Sequence, residues 1–174
     1  MTKFDELLGP TLINGKGEEV PTSSVLEGKK YVMLYFSAHW CPPCRAFTPR
    51  LADAYNAHIK YLENSSKVDG SDGSAGLNDG NDGEIEVIFI SLDSVLSEYE
   101  HYRSTMPWYS VPHSNLWQLN IKDDLSKKYS IRTIPTLIIL NGEGGEVVTR
   151  NGKGEYSAFF KGDYQLASSG CSIS

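Results

Sequence analysis

An α/β fold is predicted by two patterns that alternate along the chain. Tyr31–Phe36 and Ile85–Ile90 are short apolar runs, typical of strands buried in the middle of a sheet. Between them, apolar and amphipathic residues recur three or four positions apart from Pro42 to Leu62, which is the spacing of a helix face. A central β-sheet flanked by helices accommodates this order of elements.

The smaller elements extend the pattern toward both ends of the chain. A short strand is predicted at Thr11–Asn14, helices at Ser94–Thr105, Asp123–Tyr129 and Tyr156–Leu166, and a terminal hairpin of strands Thr136–Leu140 and Glu146–Thr149. Pro49 falls inside the long helix and removes one of its backbone hydrogen bonds, so a bend is expected around residues 46–49.

Composition predicts a single domain, residues 1–166, with an insertion at residues 64–84. The insertion consists almost wholly of Ser, Gly, Asp and Asn and buries too little apolar surface to order itself, so we expect it to be disordered and flexible. Its aspartates lack the alternating spacing of a calcium-binding EF-hand loop, which favours a solvated loop. Residues 167–174 are expected to form a flexible C-terminal tail.

Charge and hydropathy limit the classes of partner. The net charge of −6 argues against nucleic acid. No apolar run approaches the roughly 18 residues that a membrane-spanning helix needs. The first residues carry acids and lack the apolar segment of a secretory signal, which predicts a cytoplasmic protein, with a nuclear or membrane-associated fraction left open. We expect a monomer.

The most informative motif is the pair Cys41 and Cys44, placed where a buried strand passes into a helix. Unpaired backbone N–H groups and the helix dipole favour negative charge at a helix start, so a thiol there ionises readily. Cys41 is therefore the expected nucleophile, and Cys44 is expected to resolve the mixed disulfide and leave a redox disulfide between the two. Pro42 and Pro43 suit a first helical turn, where their missing N–H groups cost nothing.

The residues around the pair admit other interpretations. Arg45 and His39 flank it and either add positive charge that favours the thiolate or face water. A closed zinc site needs four ligands, and the chain has one Cys-x-x-Cys pair with scattered histidines, so no metal is expected. Because nucleotide and flavin motifs are absent from the sequence, we expect no bound cofactor and an external thiol or reductase as the electron donor.

Four ordered motifs carry a resemblance to a known family. The first two, Trp40-Cys41-Pro42-Pro43-Cys44 and Ile134-Pro135-Thr136, are similar to those of the thioredoxin superfamily. With Met106-Pro107-Trp108 and Gly145–Arg150 added, the chain resembles the tryparedoxin and nucleoredoxin group over about residues 7–160, apart from the insertion.

The resemblance implies a thioredoxin fold, with a central mixed sheet flanked by helices, and thiol–disulfide exchange on protein partners. It also implies that Pro135 is cis and lies beside Cys41, and that the backbone at Ile134 pairs with an extended substrate. Trp40, Pro42, Pro43 and Arg45 would support the dithiol. Trp108 either plugs the core or contacts a partner, since tryptophan suits both, and with Ile134 it is a candidate substrate-binding residue.

Two departures from the family pattern affect the chemistry. Ordinary thioredoxins carry a buried Asp in the strand before the dithiol, where this sequence has Tyr35, so proton transfer would need water or another group. Tryparedoxins have a Trp before the acid that matches Asp93, whereas this chain has Leu92, which favours the nucleoredoxin side of the group.

Two function classes follow from these residues. The first is a thiol–disulfide oxidoreductase that reduces disulfide-containing proteins and is recharged by a reductase or a low-molecular-weight dithiol. The alternative is a redox-gated protein-interaction module with little turnover. Cys171 stands fourth from the end before a terminal Ser, which fits a farnesylation box and would add a membrane partner; a frayed tail with an idle thiol is the other interpretation.

Overall fold

The computed structural model describes residues 1–68 and 84–162, with side chains described only as far as residue 65 in the first range. Most of the predicted insertion and the predicted tail, including Cys171, therefore lie outside the described residues. The strands are β1 (Thr11–Ile13), β2 (Glu19–Pro21), β3 (Tyr31–Ser37), β4 (Ile85–Ser91), β5 (Tyr109–Ser110), β6 (Thr136–Asn141) and β7 (Val147–Thr149). The helices are α1 (Lys3–Leu8), α2 (Thr22–Leu26), α3 (Pro42–Val68), α4 (Leu96–Arg103), α5 (His113–Gln118), α6 (Ile121–Lys128) and α7 (Gly152–Phe160).

One mixed sheet organises the described residues, in the strand order β2-β1-β5-β4-β3-β6-β7. Strand β3 pairs in parallel with β4 and antiparallel with β6. Parallel register runs from Tyr31 opposite Ile85 to Ser37 opposite Ser91, so the carboxyl ends of the two central strands meet at one edge of the sheet. The dithiol follows β3 at that edge.

Helices α3, α4 and α7 pack on one face of β3 and β4. The Tyr35 ring contacts Phe47 of α3, while Phe89 contacts Tyr102 of α4, and Tyr31 contacts Phe159 of α7. Almost every residue of β3 and β4 is buried, as expected for central strands covered on both faces. Burial of these apolar side chains is the main favourable term that holds helix α3, and with it the dithiol, in place.

The predicted α/β organisation is confirmed, with differences at element ends. The long helix continues to Val68, so residues 64–68 of the predicted insertion are helical. Helix α7 begins at Gly152 rather than at Tyr156. Pro49 lies inside the continuous helix α3; because Pro49 and Arg45 are both exposed, water can satisfy the Arg45 carbonyl that the proline leaves without a helical donor.

Five short elements were not predicted: α1, β2, α2, β5 and α5. The three helices have six residues or fewer, which is less than two helical turns, and the two strands have three residues or fewer. Such segments are too short for hydrophobic periodicity to distinguish a helix from a strand.

Candidate functional site

The candidate site is the turn between β3 and α3, where Cys41 and Cys44 form a disulfide with their Cα atoms 5.2 Å apart. The Cys41 N–H donates to the Ala38 carbonyl, and the Arg45 N–H donates to the Cys41 carbonyl at 3.1 Å. Cys41 is thus the residue that caps helix α3, where helix geometry favours a thiolate. Both residues are buried, but Cys41 is 5% exposed and Cys44 is 0% exposed, so Cys41 is the cysteine of the pair that a partner approaches first.

The loop before strand β6 faces the dithiol. The Ile134–Pro135 peptide bond is cis, as the family resemblance implies. Cys41 Sγ lies 3.7 Å from the Ile134 carbonyl oxygen, and the half-buried Ile134 side chain packs against the cluster formed by Ala38, Cys41 and Cys44. Two segments 93 residues apart in sequence are therefore brought together at the reactive sulfur.

Asp93, at the end of β4, holds the loop that leads into the dithiol. Its buried carboxylate accepts from the His39 backbone N–H at 2.9 Å and from Ser91 Oγ at 2.8 Å. The Asp93 carbonyl oxygen accepts from Trp117 Nε1 at 3.2 Å and lies 3.2 Å from His113 Nε2. Sequence reasoning named Asp93 only as a family position and missed this role.

Beneath the dithiol lie four buried hydroxyl groups, which we call the hydroxyl cluster: Tyr35, Ser37, Thr48 and Tyr102. Thr48 Oγ1 is 2.7 Å from Tyr35 OH and 2.6 Å from Tyr102 OH, and Tyr102 OH is 2.8 Å from Ser37 Oγ. The Cys44 carbonyl accepts from Thr48 Oγ1 at 3.0 Å. Burial raises the pKa of Tyr35 above its ordinary value, so the side chain stays neutral. Ordinary thioredoxins carry an acid at this position.

The remaining predicted support residues lie on the surface around the pair. Pro42, Pro43 and Arg45 are exposed in the first turn of α3. Trp40 is 57% exposed, which leaves its indole ring available to a partner beside Cys41. The nearby Trp117 is 42% exposed and was not singled out from the sequence.

Trp108 lies in the core and not at the site surface. Its ring is 1% exposed and makes edge-to-face contacts with Tyr35 and Tyr55. A ring enclosed in this way offers no surface to a substrate, which favours the core-plug interpretation over the substrate contact.

The four histidines do not converge on a common centre, although two of them contact each other. His39 packs edge-to-face on His101, and His58 Nδ1 lies 3.0 Å from the Phe160 carbonyl oxygen. Throughout residues 1–68 and 84–162, no three His, Cys, Asp or Glu side chains are grouped closely enough to hold a metal ion. Within those same ranges, every helix is too short or too polar to span a lipid bilayer.

A disulfide at a helix start, after a central strand and facing a cis-proline, defines a dithiol protein of the thioredoxin fold. A family model described as Thioredoxin-like matches residues 28–147. Tryparedoxin I from Leishmania major has a solved structure with a TM-score of 0.68 and 32% sequence identity, covering 90% of both chains.

Two groups of relatives match the sequence. Nucleoredoxin from Bos taurus is 36% identical over 152 residues, which are 87% of this chain and 29% of that protein. The chain thus spans less than a third of the length of that relative. Tryparedoxin from Trypanosoma brucei brucei is 34% identical over 142 residues, which are 82% of this chain and 81% of that protein. The chain belongs to the thioredoxin-like family, in the tryparedoxin and nucleoredoxin group.

Proposed function

We propose that the protein is a thiol–disulfide oxidoreductase that reduces disulfides in other proteins through Cys41 and Cys44. The observation that carries the proposal is the asymmetry of the pair: Cys41 caps helix α3 and keeps a small exposed area, 5%, whereas Cys44 is fully buried. The first sulfur suits attack on an external disulfide, and the second suits an internal, resolving attack.

The reaction proceeds in two exchanges. The Cys41 thiolate attacks one sulfur of the substrate disulfide, forms a mixed disulfide and expels the other substrate sulfur as a thiolate. The Cys44 thiolate then attacks Cys41 Sγ, forms the Cys41–Cys44 disulfide and expels the second substrate thiolate. Two electrons pass to the substrate, whose two sulfurs take up two protons. An external thiol or reductase restores the dithiol by the reverse exchanges.

Surface chemistry supports a protein as the substrate. Trp40 and Trp117 are exposed near the dithiol, and tryptophan is enriched where protein surfaces contact each other. The Ile134 backbone, whose carbonyl lies beside Cys41, would hydrogen-bond to an extended substrate segment. Exposed Arg45 would favour acidic residues in that segment. We further propose that the protein acts as a monomer in the cytoplasm.

Because the chain is similar to both nucleoredoxins and tryparedoxins, two classes of electron donor are compared: a protein reductase and a small thiol. The presence of Leu92 before Asp93, where tryparedoxins carry Trp, favours a nucleoredoxin type of donor. The test measures reduction of insulin disulfides with thioredoxin reductase and NADPH, with glutathione, and with trypanothione. The donor that gives the fastest turnover identifies the supply of electrons.

Two cysteine variants make that experiment decisive. Cys41→Ser is expected to abolish turnover with every donor, while Cys171→Ser, which removes the third cysteine, keeps wild-type turnover. Activity retained in Cys41→Ser would contradict the proposed mechanism. If none of the three donors supports insulin reduction by the wild type, the result would favour the redox-gated interaction module instead.

Farnesylation of Cys171 stays a prediction from the sequence. Protein isolated from its native source is expected to carry one farnesyl group on the C-terminal peptide, and Cys171→Ser should remove that mass. An unmodified C-terminal peptide from native material would contradict the prediction.

A further inference from the structure

The hydroxyl cluster connects three elements at the point where the resolving cysteine sits. Tyr35 and Ser37 come from strand β3, Thr48 from helix α3 and Tyr102 from helix α4. All four side chains are buried, and their hydroxyls meet within hydrogen-bonding distance. The Oγ1 atom of Thr48 is the centre, because it lies within 3.0 Å of three other oxygens.

One arrangement of the hydroxyl protons satisfies all four contacts of 3.0 Å or less, and it leaves unused the longer contact of 3.4 Å between Tyr35 OH and the Cys44 carbonyl. The Cys44 carbonyl can only accept, so Thr48 must donate its single proton to it. Tyr35 and Tyr102 must then both donate to Thr48. Ser37 must donate to Tyr102. In that arrangement, every hydroxyl proton of the cluster points toward the carbonyl of Cys44, either directly or through a neighbouring hydroxyl.

This arrangement strengthens the bond that ends on Cys44. A hydroxyl that accepts two hydrogen bonds is polarised and donates more strongly, and the effect is larger where water is excluded. Thr48 also sits one helical turn after Cys44, so its bond holds the first turn of α3. Through Tyr102, that turn is tied to α4, which lies 54 residues away from Thr48 in sequence.

We infer that Thr48 and Tyr102 are positioning residues for the resolving attack of Cys44. The inference rests on the proposed function and adds that different residues position Cys41 for the first exchange and Cys44 for the second. Cys41 is placed by the Ala38 carbonyl and by the loop that Asp93 holds, none of which belongs to the hydroxyl cluster. Loss of the cluster should therefore slow the second exchange and leave the first unchanged.

Tyr102→Phe tests this inference, with Tyr99→Phe as its matched control. Both tyrosines are buried on helix α4 and both hydrogen-bond through their hydroxyl groups. Tyr99 donates to the Val111 carbonyl and contacts Ser110, outside the cluster. The two variants thus remove the same atom from the same helix, and only one of them touches the cluster.

The assay is a single turnover of the reduced protein with dithiobis-nitrobenzoate, and every variant is made on a Cys171→Ser background so that Cys41 and Cys44 are the thiols that react. Attack by Cys41 releases a first equivalent of coloured thiolate, and attack by Cys44 on the mixed disulfide releases a second. Tyr102→Phe is expected to keep the first rate and to slow the second about tenfold, the cost of a modest loss of alignment. Tyr99→Phe should match the wild type in both phases. An unchanged second phase in Tyr102→Phe, or equal slowing in Tyr99→Phe, would overturn the inference.

A second pair of variants decides the question if Tyr102→Phe does not fold. Thr48→Ser keeps the central hydroxyl and should resolve at the wild-type rate, whereas Thr48→Val removes it at nearly constant volume and should slow the second phase. Equal rates for the two would contradict the inference. Failure of the proposed function has a different signature, because the Cys171→Ser protein with its hydroxyl cluster intact would then release one equivalent only.

Discussion

Helix α3 meets two polar sites of different kinds along its buried side. Near its start, Thr48 joins the hydroxyl cluster under the dithiol. Seven residues later, about 10 Å along the helix axis, Tyr55 donates to the buried carboxyl of Glu86 at 2.9 Å. Burial raises the pKa of Glu86 to about 7, mainly because desolvation penalises the charged form.

The comparison shows where the protein places its ionisable charge. In the hydroxyl cluster, the buried polar groups are satisfied by hydroxyls, and the acid of ordinary thioredoxins is replaced by Tyr35, which stays neutral. The buried carboxylate of Asp93 lies outside this cluster and accepts from the His39 N–H and from Ser91. At the far end, a carboxyl is placed that titrates near neutral pH. Glu86 sits opposite Val32, whereas the strand end that leads to the dithiol pairs Ser37 with Ser91, about 17 Å further along β4. Stability and exchange should therefore respond to pH through different groups.

Trp108→Ala is expected to have the largest effect, because this ring contacts both regions. It packs on Tyr35 of the hydroxyl cluster and on Tyr55, the partner of Glu86. Removal of a buried indole should lower the free energy of unfolding by about 3–5 kcal/mol. Urea unfolding measures the loss, and exposed Trp40→Ala serves as the control, with a change within about 0.5 kcal/mol. A loss of stability no larger than that of Trp40→Ala would contradict the view that packing of Trp108 on Tyr35 and Tyr55 stabilises the two regions.

Glu86→Gln should come next and should change the pH dependence of stability. In the unfolded chain Glu86 has its ordinary pKa of 4.5, while burial raises the pKa to about 7 in the folded protein. Between these values the folded state binds a proton that the unfolded state lacks, so the free energy of unfolding falls as pH rises. This stabilisation is complete below pH 4.5 and lost above about pH 7. The variant removes the slope and is expected to exceed wild-type stability by roughly 2–3 kcal/mol at high pH.

Urea unfolding between about pH 5 and about pH 8 tests the slope. Exposed Glu84→Gln is the control and should retain the wild-type slope. Insulin reduction by Glu86→Gln should keep the wild-type pH profile, because the carboxyl lies far from the sulfurs. A slope that survives in Glu86→Gln would contradict the account of this residue.

The smallest effect is expected for Tyr55→Phe. The change removes one hydrogen bond to Glu86 and leaves the Val87 N–H as a described donor to the same oxygen. The carboxylate loses stabilisation, so the pKa of Glu86 should rise further, and stability above neutral pH should fall by about 1 kcal/mol. Urea unfolding over the same pH range measures the pKa of Glu86 and the change in stability. A lower pKa of Glu86 in Tyr55→Phe would be inconsistent with a hydrogen bond donated by Tyr55.

Sequence reasoning reached the features whose signals are local. The Cys-x-x-Cys pair, the two apolar strand runs and the amphipathic helix each lie within one short window, and the cis-proline came from a motif resemblance. The hydroxyl cluster has no such window, since Tyr102 lies 65 residues from Ser37 in sequence. Asp93 was named only as a family position, because nothing local shows that its carboxylate bonds the backbone of His39. Glu86 interrupts an apolar strand by one residue and gives no sign of its partner.

The most direct test of the central claim is to trap the mixed disulfide with insulin in two variants, each of which lacks one cysteine of the pair and also carries Cys171→Ser, and to locate the bond by mass spectrometry. Cys44→Ser is expected to accumulate a covalent complex through Cys41, which remains accessible and has no partner to resolve the bond. Cys41→Ser should accumulate little, because Cys44 is buried. Equal trapping through Cys44, or no complex in Cys44→Ser, would contradict the roles that the geometry gives to the two sulfurs.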